Sequence, residues 1–234
     1  MKYKLKTWYL AALTLQLMAS CGLVGLDPDT LPSLATSLHL DRDTVYLMKG
    51  EQLELNVTIL PDSVSNRPLV WSMETDSVIS LDNALVTAVD QGWCMVRVSS
   101  LYDMLEDSCM VCVLDTWQLD DLVSRQYLYE TIVRARVSIH GTPMGRNAIL
   151  AAFVNDQLRG VGTVSQRQGI DYVTLRVGGD SYDDDSPEAN DWMRQIITFR
   201  LYDPDLHMMY EFPQEIPFDG ESHGTLSQLF QLTL

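Results

Sequence analysis

Basic residues are scarce in this chain: 16 Lys and Arg stand against 32 Asp and Glu, for a formal charge of −16. Nucleic-acid binding needs clustered cations that displace counterions from phosphates, so this balance excludes nucleic acid as a partner. It also argues against electrostatic adhesion to an anionic membrane surface. Histidine is scarce too. His39, His140, His207 and His223 are scattered, and none falls in a metal-ligand spacing such as H-E-x-x-H. No G-x-S-x-G elbow occurs, and Ser165 in Gly162-Thr163-Val164-Ser165-Gln166 lacks the closing glycine. The chain therefore reads as non-enzymatic, with no catalytic residue and no cofactor. Cysteine amounts to four residues. The pair Cys109-Met110-Val111-Cys112 has no second C-x-x-C or His pair to complete a zinc site, so no metal centre is expected. Its surroundings alternate as a strand, which turns residues three apart to opposite faces and disfavours a direct disulfide. Cys94, Cys109 and Cys112 read as small apolar strand residues.

A long hydrophobic run is also missing. The mostly apolar stretch from Trp8 to Ala19 is short of the roughly 20 residues a membrane-spanning helix needs. It follows Lys2, Lys4 and Lys6 and ends in small residues, which is the make-up of a secretory signal. Leu17-Met18-Ala19-Ser20-Cys21 resembles the lipobox of bacterial lipoproteins, with Met18 where that family prefers Leu. The resemblance implies cleavage before Cys21, a diacylglycerol on its thiol, and attachment to the outer membrane or cell surface, on either face. Residues 1–20 are then the signal peptide and 21–36 a tether. Pro28 and Pro32 disfavour helix there, and the Gly, Ser, Thr and Asp content gives no sustained period.

Residues 37–115 carry strand signals. Val45 to Gly50 reads as an edge segment ending in a turn, Leu53, Leu55, Val57 and Ile59 alternate as one half-buried strand, and short runs follow at 69–73, 78–81, 85–89, 94–98 and 109–113. Seven short strands between turn-rich breaks fit an all-β sandwich. Leu47-x-x-Gly50, Val70-Trp71-Ser72, Val86-Thr87-Ala88 with Gly92, and Cys109-x-Val111-x-Val113 resemble a group 2 bacterial Ig-like domain. The resemblance implies a spacer or interaction module of surface proteins, with Trp71 in the core between sheets. Gly92-Trp93-Cys94 departs from the family's Gly-Thr-Ala and places Trp93 outward.

Residues 116–234 resume the β pattern after an unpatterned stretch at 115–125. Thr131 to Ile139 alternates, and Ile149 to Val154 is continuously apolar, as in a buried strand. Ala151-Ala152-Phe153-Val154 with Arg159-Gly160-Val161, Ile197 to Asp203, and Gly224-Thr225-Leu226-Ser227 resemble a C-terminal β-sandwich module of Bacteroidetes lipoproteins. That resemblance implies fold and location only. The fold class is thus all-β, two β-sandwich domains in tandem after a lipoprotein signal peptide.

Two loops stand out as ligand candidates, since loops on sandwiches carry binding. Gly178 to Asp191 holds Asp180, Asp183, Asp184, Asp185 and Asp191, carboxylates of the kind Ca²⁺ takes, but in no EF-hand spacing. A solvated loop is the simpler reading. Arg146, in the loop 141–147, together with Tyr182 and Trp192, would be the contacts if the ligand is a glycan. The function expected is a lipid-anchored interaction or adhesion module whose spacer presents a distal sandwich to a protein or glycan. A glycan-binding accessory of a polysaccharide-uptake system, or a structural subunit of a surface assembly, are the alternatives.

Overall fold

The computed structural model describes residues 34–118, 129–179 and 195–234. The strands fall in two bodies with separate cores, and the expected strands are present except that the run from Leu53 to Ile59 is divided. Among the described residues, no helix is long and apolar enough to cross a membrane.

The first body holds β1 (Ser37–Leu40), β2 (Thr44–Met48), β3 (Gln52–Glu54), β4 (Val57–Leu60), β5 (Leu69–Met73), β6 (Ile79–Asp82), β7 (Leu85–Ala88), β8 (Gly92–Ser100) and β9 (Glu106–Leu114). One sheet runs β2-β9-β8-β5; β3-β7-β6 and the β1-β4 pair supply the rest of the sandwich. Period-two alternation sets the core. Cys94, Val96 and Val98 of β8 and Cys109, Val111 and Val113 of β9 point inward, against Leu38, Leu47, Ile79 and Val86. Trp71 is partly buried at the edge of this cluster.

There are nine strands here rather than seven. The run from Leu53 to Ile59, expected as one strand, divides between two sheets: β3 pairs with β7 and β4 with β1. The break has a local cause. Asp41 accepts the Asn56 N–H (3.2 Å) and side-chain amide (2.9 Å), and the Leu55 N–H turns to the Ala84 carbonyl (3.0 Å).

The second body holds β10 (Glu130–Ile139), β11 (Thr142–Pro143), β12 (Ile149–Val154), β13 (Gln157–Arg167), β14 (Ile170–Gly178), β15 (Ile196–Asp203), β16 (Met208–Pro217), β17 (Ser222–His223) and β18 (Phe230–Thr233). Strand β13 is shared: residues up to Thr163 pair with β12, and those from Val164 pair with β14. Gly162 sits at the crossing. A Cβ there would lie 2.7 Å from both the Thr174 carbonyl oxygen and Val173 Cγ1, so only glycine lets the backbones approach. Strand β18 runs parallel to β10. On its other side the Gln214 amide donates to the Thr233 carbonyl (3.0 Å) and accepts its N–H (3.4 Å), so a side chain stands in for a ladder between β16 and β18.

Candidate functional site

The two bodies meet through an apolar patch built on β12. Leu150, Ala152 and Val154 face the second core, while Ala151 and Phe153 face outward, yet all five are buried. Their cover is Trp117, from the segment read as an unpatterned junction. Its ring stands edge-on to Phe153 (centroids 5.8 Å apart) and to Tyr202 (6.5 Å), with Met48 of the first body in the same cluster. The continuous apolar run of β12 is therefore a strand buried on both faces.

Polar contacts fix the angle of this joint. The Tyr202 hydroxyl donates to the Glu51 carboxylate, whose Oε2 also accepts the Met48 N–H (2.8 Å). Burial, and then the Glu51 contact, push the Tyr202 phenol far above its ordinary range, so it remains a donor. Asp203, buried, accepts the N–H groups of Asp205 (3.0 Å) and Leu206 (3.3 Å) and shapes the turn after β15. From that turn the Leu206 carbonyl takes the Arg42 guanidinium (2.6 Å) and the His207 carbonyl takes the Tyr46 N–H (2.9 Å). His207 Nδ1 is buried with no hydrogen-bond partner among the described residues. Burial, then the Arg42 charge, hold its pKa below the ordinary 6.5.

The joint runs along β2, from Arg42 near the start of β9 to Met48 opposite Leu114, and its Trp117 end lies away from the point where the chain enters. The Ala35 N–H bonds Asp103 (3.3 Å) in the turn between β8 and β9. Strand β9 then runs from that turn to Leu114 and on to Trp117, a separation of roughly 27 Å at strand rise.

On the second body, the sheet opposite the joint opens into a groove. Strand β14 follows β10 only as far as Val173, opposite Ala135, while β10 turns over into β11. The gap is a hollow of about 230 Å³ lined by Arg136, Met144, Ile170, Asp171 and Tyr172 among others. A second hollow of about 210 Å³ shares Arg136 and Ile170 and adds Ser227, Gln228 and Gln231. Arg136 makes no ion pair among the described residues. Arg200 and Arg176, by contrast, are held by Asp156 and Glu211, and by Glu130, at 2.9–3.0 Å. Asp171 accepts the Gln166 amide (2.9 Å) through Oδ1. The groove thus offers an available guanidinium, a carboxylate, amides and a hydroxyl around Tyr172 and Ile170.

Of the residues singled out from sequence, Arg146 is exposed in the loop after β11. That loop is not distal: its Asn147 amide bonds both carboxylate oxygens of Asp205 (3.0 and 3.1 Å), beside the joint. Gly179 and Gln195, which flank the acidic stretch, lie at the other end of the sandwich, since Gly178 pairs with Glu130 while the loop of Arg146 follows Ile139. The length of β10 puts roughly 30 Å between them. Tyr182, Trp192, Asp180, Asp183, Asp184, Asp185, Asp191 and Cys21 lie outside the described residues.

The three described cysteines are free and buried. Cys109 faces the core, and Cys112 faces outward beneath Tyr46 and Trp93, whose rings meet edge-on at 6.0 Å. Burial pushes both thiols up to about 11. Trp93 itself is 58 % exposed. Sequence reading passed over Trp117, Arg136 and the pair His223–Asp219 (3.0 Å). Partial burial raises the Asp219 carboxyl, but the Glu221 N–H and His223 together hold it below its usual range. Among the described residues, no Ser, Thr or Cys side chain hydrogen-bonds the His223 ring. The alternation of β10 was the available signal for Arg136, since it turns Arg134 and Arg136 outward.

No family model matches the chain. An uncharacterized protein of Clostridium acetobutylicum is 30% identical over 86 residues, 36% of this chain and 22% of that protein. One of Bacillus cereus is 24% identical over 80 residues, 32% of this chain and 61% of that protein. The chain thus spans under two thirds of the length of either relative. Among solved structures, domains 1–6 of the surface layer protein SbsC align at 13% identity and a TM-score of 0.32, covering 79% of this chain and 26% of that one. Human protocadherin-24 EC1-2 aligns at 12% identity and a TM-score of 0.29, covering 86% and 100%. Scores this low carry no argument about function.

Proposed function

We propose that this protein is a lipid-anchored, non-enzymatic interaction module of the cell envelope. Cys21 carries the anchor, the first body is a spacer, and the second presents the binding surface. The observation that carries this reading is the polarity of the structure. The chain enters the first body at the end opposite Trp117, and the joint's apolar and polar contacts couple the second body along β2. A tether attached at that entry point would project the second body away from the membrane. Metabolic labelling with a palmitate analogue tests the anchor: the full chain takes up label and sediments with membranes, and Cys21→Ser loses both. A Cys21→Ser chain that stays membrane-bound refutes the reading.

The groove at Arg136 favours a glycan as the partner. A guanidinium, a carboxylate, side-chain amides and a hydroxyl beside one aromatic ring match the hydroxyl pairs and apolar face of a sugar. On a glycan array, Arg136→Ala is expected to lose the wild-type signal while melting as wild type does. Unchanged binding by Arg136→Ala would move the partner to another surface.

A further inference from the structure

The turn between β8 and β9 is built with its polar side inward. Asp103 is the acid of this tip, and its side chain is 1% exposed. It accepts the Ser100 hydroxyl (2.8 Å) and the Ala35 N–H (3.3 Å), with the Arg67 guanidinium 3.7 Å away. Leu101, Tyr102 and Met104 point out instead, Met104 at 96% exposure. Met104 also holds a φ of 54°, a left-handed conformation that hairpin turns ordinarily give to Gly or Asn. Leu34 and Leu60 are exposed at the same end, since the Ala35 N–H bonds Asp103 and the next-door Thr36 N–H bonds the Leu60 carbonyl (2.8 Å). Five large apolar side chains thus share one end of the body, where isolated exposed apolar residues would be unremarked but a cluster marks a contact surface.

What lies against that surface follows from where the chain goes. The backbone leaves the patch at Leu34, toward Cys21. The twelve intervening residues span at most about 45 Å when fully extended, so an anchor at Cys21 keeps this end near the bilayer. Resting on the lipid-anchor reading above, we propose that the tip formed by Leu101, Tyr102 and Met104, with Leu34 and Leu60, docks on the bilayer surface. Tyr102 suits the headgroup level, while Arg67, 5.9 Å from its ring centroid, is held inward by Asp103. Asp62 and Glu106 are exposed at the rim, so the contact is apolar and gains nothing from anionic lipid.

The test places an environment-sensitive fluorophore at Met104→Cys in the full lipidated chain, reconstituted in phosphatidylcholine vesicles, with Ser165→Cys on the second body as control. The expected result is a blue-shifted emission at position 104, quenched several-fold by nitroxide-bearing lipid, with no quenching at 165. Adding phosphatidylglycerol is expected to leave the quenching unchanged or weaker. A palmitate-labelled chain whose position 104 stays unquenched overturns the docking and leaves the anchor standing. A chain that takes no palmitate overturns both. A blue shift that grows with protein concentration in the vesicle-free Cys21→Ser chain assigns the patch to a second copy and overturns the proposal.

Discussion

Replacing Tyr202 by Phe removes one hydroxyl and leaves the ring against Trp117 and Met48. The bond lost is made to a carboxylate, and such bonds contribute about 1.5–3 kcal/mol. Glu51 keeps the Met48 N–H and is only half-buried, which places the cost near the lower end, about 1.5–2 kcal/mol. In chains of roughly 150–250 residues each kcal/mol moves Tm by about 2–4 °C, so a drop of about 3–8 °C is expected. The assay is a double-mutant cycle by calorimetry with Glu51→Gln, which keeps the size of the side chain and removes its charge. If the hydroxyl acts through Glu51, Tyr202→Phe costs less in the Glu51→Gln background than in wild type, and the coupling exceeds the few tenths of a kcal/mol expected of independent sites. Costs that simply add would refute the reasoning. So would a wild-type chain whose two bodies already melt in separate transitions, because the joint would then contribute nothing to cooperativity.

Three further outcomes are expected. His207 is held neutral in the folded state, so as pH falls below about 6.5 the unfolded chain takes up its proton first and stability declines. Tm measured from pH 8 to 5 should slope downward on the acid side, and His207→Gln should flatten that part of the curve. Gly162→Ala forces a Cβ against the Thr174 carbonyl and should destabilise the second body by about 1–3 kcal/mol, read by urea denaturation. Cys109 and Cys112, buried with thiols at about 11, should resist iodoacetamide at pH 8 in the native protein and react on unfolding. Prompt labelling of either one in the native state would contradict its burial.

Much of this fold was legible because β structure writes a short-range pattern. The strands of 94–98, 109–113 and 131–137 were read correctly from alternation alone, and so was the opposition of Cys109 and Cys112, since a period of two is a property of one segment. The split of Leu53–Ile59 was not legible. It depends on Asp41, fifteen residues before Asn56, reaching the backbone and amide of Asn56 and ending one strand so that another begins. The apolar run of β12 was read as buried, but the second cover, Trp117, lay in a stretch with no pattern of its own.

That the chain is all-β and acidic follows from composition and alternation alone, because both are local and survive any arrangement of the strands. Tertiary structure decided the rest. It set the loop of Arg146 and the flanks of the acidic stretch at opposite ends of one sandwich, through the register of β10. It left Arg136 without a carboxylate among the described residues where β14 parts from β10, and it locked the two bodies through Trp117 and Tyr202. It also gathered Leu34, Leu60 and Met104 at the end where the chain enters. Each of these joins residues far apart along the chain, and only strand pairing, which no segment encodes alone, brings them together.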